Sequence, residues 1–383
     1  MVTVPGMPWP SEGITPPDGW RPAAFTEFVV KVASRCNLAC DYCYVYQAAD
    51  QSWREQPRVM TEATFTSVCA QIAAHVDGVP SLIFHGGEPL LAGAATVQRY
   101  AELAREIIGP VDLRLQTNGT LVTAGFAAAC ARLGIRVAVS LDGGRAANDK
   151  HRVRPDGGSS FEGVREGIAL LRAEPDVFAG LLCTIDTAND PVAAYESLLE
   201  FSPPAVDFLL PHANWVTPPP RPGTYGDWLV AVFDRWYRAP RRETRVRLFD
   251  DIVTLVLGGG RVVSEAVGLA PVRVAVFESD GTLEQVDALK TAYPGATRLS
   301  ATGLDAALRE PGVMARQIGR AALAAQCLSC PVRDVCGGGN YVHRFHPEHG
   351  FRHPSVYCGD LLRLITHIAQ AVREDVARLS RRP

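Results

Sequence analysis

The sequence lacks three features that would direct the protein to a nucleic acid, a membrane or secretion. Its 38 Lys and Arg against 41 Asp and Glu give a net charge of -3, too small for electrostatic recognition of nucleic acid or an anionic membrane. No apolar run reaches the roughly 18 residues of a membrane span, and the proline-rich residues 1–22 lack the basic and apolar regions of a signal peptide. These absences predict a cytoplasmic protein without nucleic-acid or membrane partners.

Cysteine is not scarce, but its distribution argues against disulfides. The chain has ten cysteines in 383 residues, a length that builds a core without disulfides, and most of them cluster at ligand spacings. Cys36, Cys40 and Cys43 share one short loop. Three thiolates can bind three irons of a four-iron cluster and leave the fourth iron open, whereas a closed cluster or a structural zinc site uses four ligands. The loop therefore predicts chemistry at an open iron, with a zinc knuckle or buried thiols as the alternative.

A second cysteine group lies near the end of the chain. Its members are Cys327, Cys330, Cys336 and Cys358. Four thiolates close every iron of a second cluster, which would then bind or carry electrons, and a zinc ribbon is the alternative. The remaining cysteines fall in apolar helix or strand patterns and are predicted to be buried core thiols: Cys69, Cys130 and Cys183.

The N-terminal two thirds alternates β-rich runs with helical patterns, which predicts βα units around a parallel sheet. The six predicted strands are Phe25–Ala33, Ser81–His85, Asp112–Gln116, Arg136–Leu141, Phe178–Ile185 and Val206–Leu210. Six units indicate a partial barrel, and in parallel barrels reactive residues gather at the C-terminal ends of the strands. The cysteine loop follows the first strand, and Gly86-Gly87-Glu88-Pro89 follows the second.

The Gly-Gly-Glu-Pro run suits the binding of an amino group. Gly86 and Gly87 let the backbone approach a ligand closely, and Glu88 with nearby carbonyls offers acceptors to an ammonium group. A plain turn is the alternative.

The pattern changes after about residue 205. Prolines at 218–220 and 222 interrupt the chain, helices are predicted over Tyr225–Tyr237 and Arg247–Leu257, and the glycines at 258–260 precede a smaller cysteine-containing region. The predicted regions are an N-terminal extension over 1–22, a barrel over 23–217, a bridging helical segment over 218–260 and an auxiliary-cluster domain over 261–383.

The spacing of the first three cysteines, with Tyr42 before the last of them and the Gly-Gly-Glu-Pro run one strand later, resembles the radical S-adenosylmethionine (SAM) enzymes. The resemblance implies an α/β fold with a partial (β/α)6 barrel, a [4Fe-4S] cluster on the first three cysteines, and SAM cleaved to a 5'-deoxyadenosyl radical. The SAM-contacting residues that it implies are Tyr42, Gly86, Gly87, Glu88, Asn118, Ser140 and Arg152, with Arg154 as an alternative to Arg152.

The C-terminal cysteines resemble the SPASM extension of these enzymes, which typically has seven cysteines for two auxiliary clusters. Here Asn340 stands where a cysteine is expected after Cys336, and Val286 replaces the cysteine before Asp287. The resemblance therefore implies one auxiliary [4Fe-4S] cluster, on the four cysteines of the second group. It also gives Asp287 a catalytic role, because sulfatase-maturing relatives use the matching aspartate as a base.

Four stretches resemble a narrower group, the FxSxx-peptide maturases among the three-residue cyclophane-forming enzymes. They are Cys36–Tyr46, His85–Leu91, Cys336–Arg344 and Pro354–Cys358. This resemblance implies a ribosomally made precursor peptide, crosslinked between an aromatic ring and the Cβ of a residue two positions along. Thioether or formylglycine formation remains an alternative, as does a non-enzymatic iron–sulfur electron carrier.

The implied partners are the precursor peptide with its leader and an external electron donor of the flavodoxin or ferredoxin type. About two dozen residues precede the first predicted strand, too few for a recognition domain, so the leader would dock on an exposed sheet edge or on a separate leader-binding protein. After the sixth strand, His212 and Asn214 would face the substrate or cap the loop.

Overall fold

The computed structural model describes residues 15–259, 262 and 264–380, so residues 1–14 of the predicted N-terminal extension lie outside the described residues. Within this part of the chain, nine strands form one sheet in the order β7-β6-β5-β4-β3-β2-β1-β8-β9. They are β1 Glu27–Ala33, β2 Ser81–Gly86, β3 Asp112–Thr117, β4 Ile135–Ser140, β5 Phe178–Thr184, β6 Ala205–Leu209, β7 Arg245–Val246, β8 Val274–Phe277 and β9 Leu283–Glu284. The six predicted strands and the partial barrel are confirmed.

Helices follow the strands and cover the outside of the sheet. The α-helices are α1 Glu62–His75, α2 Ala94–Ile108, α3 Ala124–Arg132, α4 Arg145–His151, α5 Phe161–Arg172, α6 Pro191–Leu199, α7 Tyr225–Tyr237, α8 Arg247–Val256, α9 Leu304–Ala307, α10 Pro311–Ala315, α11 Ala325–Leu328, α12 Arg333–Cys336 and α13 Cys358–Leu379. Single 3-10 turns lie at Ser52–Arg54, Pro89–Ala92, Asp287–Thr291, Gly319–Ala322 and Tyr341–Arg344. In the described part of the chain, no helix is both long and apolar enough to cross a membrane.

Alternation along the strands separates the core from the barrel interior. In β1, Phe28 and Val30 are fully buried in the core, whereas Val29 lines an internal cavity and Lys31 points to residues of the C-terminal region. Because side chains of a strand alternate between faces, one strand supplies both packing and site residues. The core also contains Cys69, Cys130 and Cys183, each no more than 1% exposed, which confirms that they are buried thiols.

The C-terminal region joins the barrel sheet, which the sequence analysis missed. Strand β8 pairs in parallel with β1, from Glu27 opposite Val274 to Val30 opposite Phe277, and β9 pairs antiparallel with β8. Helix α13 packs against α7 and α8. One buried core therefore runs from the barrel into the C-terminal region, and the predicted boundary at 260/261 stays a prediction.

Candidate functional site

The cysteine loop is held against the end of β2 by two glycines. The backbone N–H of Gly87 donates to Ala33 O at 2.9 Å. A Cβ added at Gly86 would lie 1.9 Å from Ala33 O, and one at Gly87 would lie 1.9 Å from Tyr46 Oη. These contacts are far inside van der Waals distance, so both positions need glycine for the packing of two strand-end loops. The sequence analysis had attributed them to the approach of a ligand.

The carboxylate of Glu88 is used inside the protein. It is fully buried; Oε1 accepts from Leu90 N at 3.0 Å and Thr117 Oγ1 at 2.8 Å, and Oε2 accepts from Asn118 N at 2.8 Å. Burial raises the pKa of Glu88, and these donors act in the opposite direction. These bonds tie the end of β2 to the end of β3, and the predicted contact of Glu88 with an ammonium group stays a prediction.

Asn118 orients the cysteine loop from the end of β3. Its Nδ2 donates to Asn37 Oδ1 at 2.8 Å and lies 3.8 Å from Cys36 Sγ. Burial raises the pKa of the Cys36 thiol to about 12, so its thiolate form requires a bound cation or cluster. At the end of β4, Ser140 Oγ accepts from Gln116 Nε2 at 2.9 Å.

Tyr42, Asp142 and Arg152 form a buried group beside the cysteines. Tyr42 Oη donates to Asp142 Oδ2 at 2.5 Å, and Arg152 Nη1 donates to Tyr42 Oη at 2.9 Å. Burial alone would lower the pKa of Arg152, but Tyr42, Asp142 and Cys40 raise it overall. Arg152 is 7% exposed and its Nε has no partner among the described residues, whereas Arg154 is exposed.

The geometry favours Arg152 over Arg154 as the guanidinium of this site, because only Arg152 is fixed next to the cysteine loop. Asp142 was not predicted as a site residue. Its position directly after β4, at the same rim as the cysteines, was the signal that could have identified it.

A cavity of about 360 Å³ occupies the barrel interior. Residues of β1, β2, β6 and β8 line it, together with α8 and the loop after β6. The side chains contributed by strand ends and by the C-terminal region are Tyr44, His85, His212, Asp287 and His343. The tertiary structure thus brings the predicted Asp287 to the same rim as the cysteine loop, although 244 positions separate it from Cys43 in the sequence.

Asp287 belongs to a buried network of charges. Its Oδ1 lies 2.6 Å from Lys31 Nζ, which also lies 2.7 Å from Glu278 Oε1. Lys290 Nζ lies 2.6 Å from Glu278 and 3.1 Å from Glu284. Burial alone would lower the pKa of Lys31, but Asp287 and Glu278 raise it well above its usual value. The two lysines balance two of the three carboxylates, and burial together with Glu278 raises the pKa of the third, Glu284, to about 7. Asp287 is held as the ion-pair partner of Lys31.

Three histidines of the cavity are held neutral. Burial lowers the pKa of His85, that of His212 to about 4, and that of His343 well below its usual value. Both ring nitrogens of His343, and Nδ1 of His85 and His212, have no hydrogen-bond partner among the described residues. The His212 ring lies 5.0 Å from that of Tyr44 and 5.9 Å from that of His343. His85 and His343 were missed as site residues, although both lie in motifs that the sequence analysis singled out.

Asn214 caps its loop. Its Oδ1 accepts from Val216 N at 2.9 Å and Thr217 N at 3.0 Å, and its Nδ2 donates to Thr291 O at 3.0 Å. Of the two residues weighed after the sixth strand, His212 therefore lines the cavity and Asn214 is structural.

The second cysteine group surrounds a cavity of about 210 Å³, lined by all four thiols of Cys327, Cys330, Cys336 and Cys358. This space far exceeds the roughly 10–15 Å³ that a single water-sized occupant needs. Cys358 is the first residue of α13. Beside it, Arg344 donates to the carbonyl oxygens of Gly337, Gly338 and Gly339 at 2.6–3.1 Å, which fixes the loop after Cys336.

The spacing of the thiols distinguishes a cluster from zinc. In the described residues, two groups of at least three His, Cys, Asp or Glu have all their donor atoms within 4.8 Å of one another, and neither contains a cysteine. Tetrahedral zinc with bonds of about 2.3 Å would bring thiolates to about 3.8 Å from one another. A polynuclear iron–sulfur cluster spreads its ligands more widely, so both cysteine sets fit a cluster better than zinc.

Asn340 occupies the position where the SPASM pattern has another cysteine. Its side chain accepts from Val342 N at 3.1 Å and caps a 3-10 turn. With seven cysteines in the two sets and three in the core, none of the ten is left for a further auxiliary cluster.

Residues 30–192 match the model of the Radical SAM superfamily. The chain is similar to the cysteine-type anaerobic sulfatase-maturating enzyme of Clostridium perfringens, with 27% identity covering 67% of this chain and 72% of that enzyme. It is also similar to the serine-type anaerobic sulfatase-maturating enzyme of Klebsiella aerogenes, with 27% identity covering 84% of this chain and 81% of that enzyme.

Solved structures share the fold. Native anSMEcpe with bound AdoMet superposes with a TM-score of 0.78 at 20% identity, over 92% of this chain and 99% of that one. Streptococcus suis SuiB bound to precursor peptide SuiA gives a TM-score of 0.54 at 14% identity, over 87% of this chain and 76% of that one. The match extends well beyond residues 30–192, in agreement with a C-terminal region that belongs to the same sheet.

Proposed function

We propose that this protein is a radical SAM maturase that oxidises a peptide bound in the barrel cavity. Cys36, Cys40 and Cys43 would hold the SAM-binding [4Fe-4S] cluster. The four cysteines of the second set would hold one auxiliary [4Fe-4S] cluster. The observation that carries the proposal is the 360 Å³ cavity, which is lined both by Asp287 and by Tyr44, the residue that follows Cys43.

SAM would lie at the ends of β2, β3 and β4. The carbonyls of the Gly86-Gly87 turn would accept from the amino group of SAM. Arg152, whose Nε has no partner in the described part of the chain, would bind its carboxylate. Tyr42 would orient Arg152 through their 2.9 Å hydrogen bond. Asn118 and Ser140 would contact the ribose, and Glu88 would act by holding the turn in place.

The proposed reaction is a carbon–carbon crosslink between an aromatic ring and a Cβ two residues along. Each of the two carbons loses one hydrogen atom, so the peptide loses two hydrogen atoms, which equal two protons and two electrons. When bound, the SAM-ligated cluster would supply hydrogen-atom abstraction at Cβ, and the auxiliary cluster would accept one electron. The ring proton needs a base, and Asp287 is the lining carboxylate that the family resemblance selects to take it at Oδ1 or Oδ2.

The second candidate is formylglycine formation on a Ser or Cys of a sulfatase. It is favoured by the similarity to anaerobic sulfatase-maturating enzymes over 84% of this chain. The single auxiliary cysteine set favours crosslinking, because the family pattern described above has cysteines for two auxiliary clusters. We therefore place peptide crosslinking first.

The proposal includes two protein-level partners. The substrate is a ribosomal precursor peptide whose leader docks on a sheet edge or on a separate leader-binding protein. A flavodoxin- or ferredoxin-type donor supplies the electron for SAM cleavage.

The test uses anaerobically reconstituted protein with SAM, dithionite and the short peptide encoded beside its gene. Crosslinking predicts the loss of two hydrogens, mapped by fragmentation to an aromatic residue and a neighbour two along, with no reaction of the product with a hydrazide. Formylglycine predicts a hydrazide-reactive aldehyde at a Ser or Cys. An unchanged peptide alongside abundant 5'-deoxyadenosine would reject this substrate, and the absence of 5'-deoxyadenosine would reject the enzyme class.

The role of Asp287 is tested by Asp287→Asn. We expect SAM cleavage to continue while product formation falls at least tenfold, because Asn cannot accept the proton. Asp280→Asn is the matched control, since Asp280 is exposed and contacts Gln56. Normal product formation by an Asp287→Asn variant with full iron content would contradict the assignment.

A further inference from the structure

Three imidazoles and one carboxylate meet in the loop between Arg344 and Cys358, outside both cysteine sets and the barrel cavity. They belong to His346, Glu348, His349 and His353. Two backbone hydrogen bonds close the loop: His346 N donates to Gly350 O at 2.9 Å and Gly350 N donates to His346 O at 2.8 Å. This tight turn places residues 346 and 349 side by side.

The donor atoms are close enough to share one ion. A donor atom of each of His346, Glu348 and His349 lies within 4.8 Å of the other two. The His353 ring lies 4.7 Å from that of His346 and 5.5 Å from that of His349, and the His346 and His349 rings are 4.7 Å apart. The three ring planes lie within 28° of parallel. To bind one tetrahedral ion with zinc–nitrogen bonds of about 2.0–2.1 Å, the rings would rotate about χ2 until their nitrogens converge.

The surroundings leave this set available to a cation. His353 Nδ1 lies 3.2 Å from Pro354 O; an N–H donated there leaves Nε2 as the free ligand atom, the usual orientation of a metal-binding histidine. Glu348 forms no ion pair with any residue in the described part of the chain. By contrast, each carboxylate of the buried group Glu278, Glu284 and Asp287 already contacts a lysine.

We propose that His346, Glu348, His349 and His353 form a binding site for a divalent transition-metal ion, for which Zn²⁺ is the probe. Imidazole donors with one carboxylate suit zinc and its late first-row neighbours. Calcium and magnesium prefer oxygen ligands throughout, so this donor set disfavours them. The site is separate from the clusters that the proposed function requires.

The bound ion would fasten the loop after β6 to the segment between Cys336 and Cys358. Trp215 N donates to Phe345 O at 3.0 Å, and Trp215 Nε1 donates to Pro354 O at 2.8 Å. The Trp215 ring lies 5.0 Å from that of His353. An ion that binds only the folded loop stabilises it by mass action, so its role is structural.

The test is isothermal titration of Zn²⁺ into untagged, cluster-reconstituted protein under anaerobic conditions. We expect about one equivalent to bind, and at least tenfold weaker binding by His349→Ala and by Glu348→Gln. Both residues are exposed, so both variants should fold normally. His367→Gln is the control, because His367 lies on α13 and pairs with Asp234 of α7. This variant should bind Zn²⁺ like the unmodified protein.

Iron and zinc are measured in each sample after dialysis. An unchanged iron content shows that zinc has not replaced cluster iron. The proposal is overturned if the unmodified protein binds no zinc beyond that of the His349→Ala variant, or if both site variants bind it with unchanged affinity. Peptide modification and SAM cleavage do not enter this readout, so its failure is distinct from failure of the proposed function.

Discussion

Buried polar side chains of the site fall into two kinds. Some have their hydrogen bonds made by the protein, and others have a donor or acceptor atom without a partner. Glu88 accepts three hydrogen bonds from the protein. Arg152 Nε and both ring nitrogens of His343 have no partner among the described residues. Because an unpaired buried polar atom costs about 1–3 kcal/mol, a ligand that pairs it recovers that free energy. These atoms therefore mark the ligand-facing side of the site.

Arg152→Met tests this distinction. The variant leaves buried Asp142 without its neighbouring cation, and we expect it to lose about 3 kcal/mol of stability and to bind SAM at least tenfold more weakly. Arg154→Met should change neither quantity, because Arg154 is exposed. Equilibrium binding of SAM to the cluster-loaded variants is the measurement, and equal effects of the two substitutions would contradict the assignment.

Among the elements, strand β8 has the largest consequence for the site. It continues the sheet beyond β1, and the turn after it returns through β9 to Asp287. The position of Asp287 next to Lys31 therefore depends on the pairing of strands whose partner residues are 247 positions apart in the chain. This arrangement makes the C-terminal region part of the barrel wall.

Phe277→Ala tests whether the two regions unfold together. Phe277 is fully buried on β8, and its truncation should lower the free energy of unfolding by about 3–5 kcal/mol in one cooperative transition. Val79→Ala is the control, because Val79 is 66% exposed. This substitution should change the free energy of unfolding by less than about 0.5 kcal/mol. Two separate transitions, of which only one shifts, would show independent domains.

Over the whole molecule, a cavity lined by neutral histidines makes stability depend on pH. His212 has its pKa lowered by burial to about 4, whereas an unfolded histidine titrates near 6.5. The unfolded chain therefore binds the proton first as the pH falls, and folding loses stability from about pH 6.5 down to about pH 4. At higher pH the histidine is neutral in both states and contributes no such dependence.

His212→Leu should remove this part of the acid sensitivity. Between pH 7.5 and 5, the unmodified protein should lose about 2 kcal/mol more than the variant. Denaturant unfolding of cluster-loaded protein at the two pH values measures the difference, and effects of acid on the clusters are common to both proteins. Equal losses would mean that His212 is charged within the fold.

Short-range patterns were sufficient for the strands and the core thiols, and they divided the other seven cysteines into the two sets. Strand alternation and ligand spacing involve residues close in the chain, so β1 to β6 and the two cysteine sets could be read directly. Asp287 was identified only through its resemblance to a known family. The packing of Gly86 and Gly87 against Ala33 and Tyr46 and the hydrogen bonds of Glu88 were not predicted, because these partners lie on other segments.

What required the tertiary structure was the meeting of distant residues. The pairing of β8 with β1, the neutral state of His85, His212 and His343, and the histidine loop at 346–353 all depend on burial or on contacts between segments. Local sequence carries no information about dielectric surroundings or about which strand edges meet. The sequence thus determined which residue types are available for a site, and the tertiary structure decided which of these residues line the same cavity.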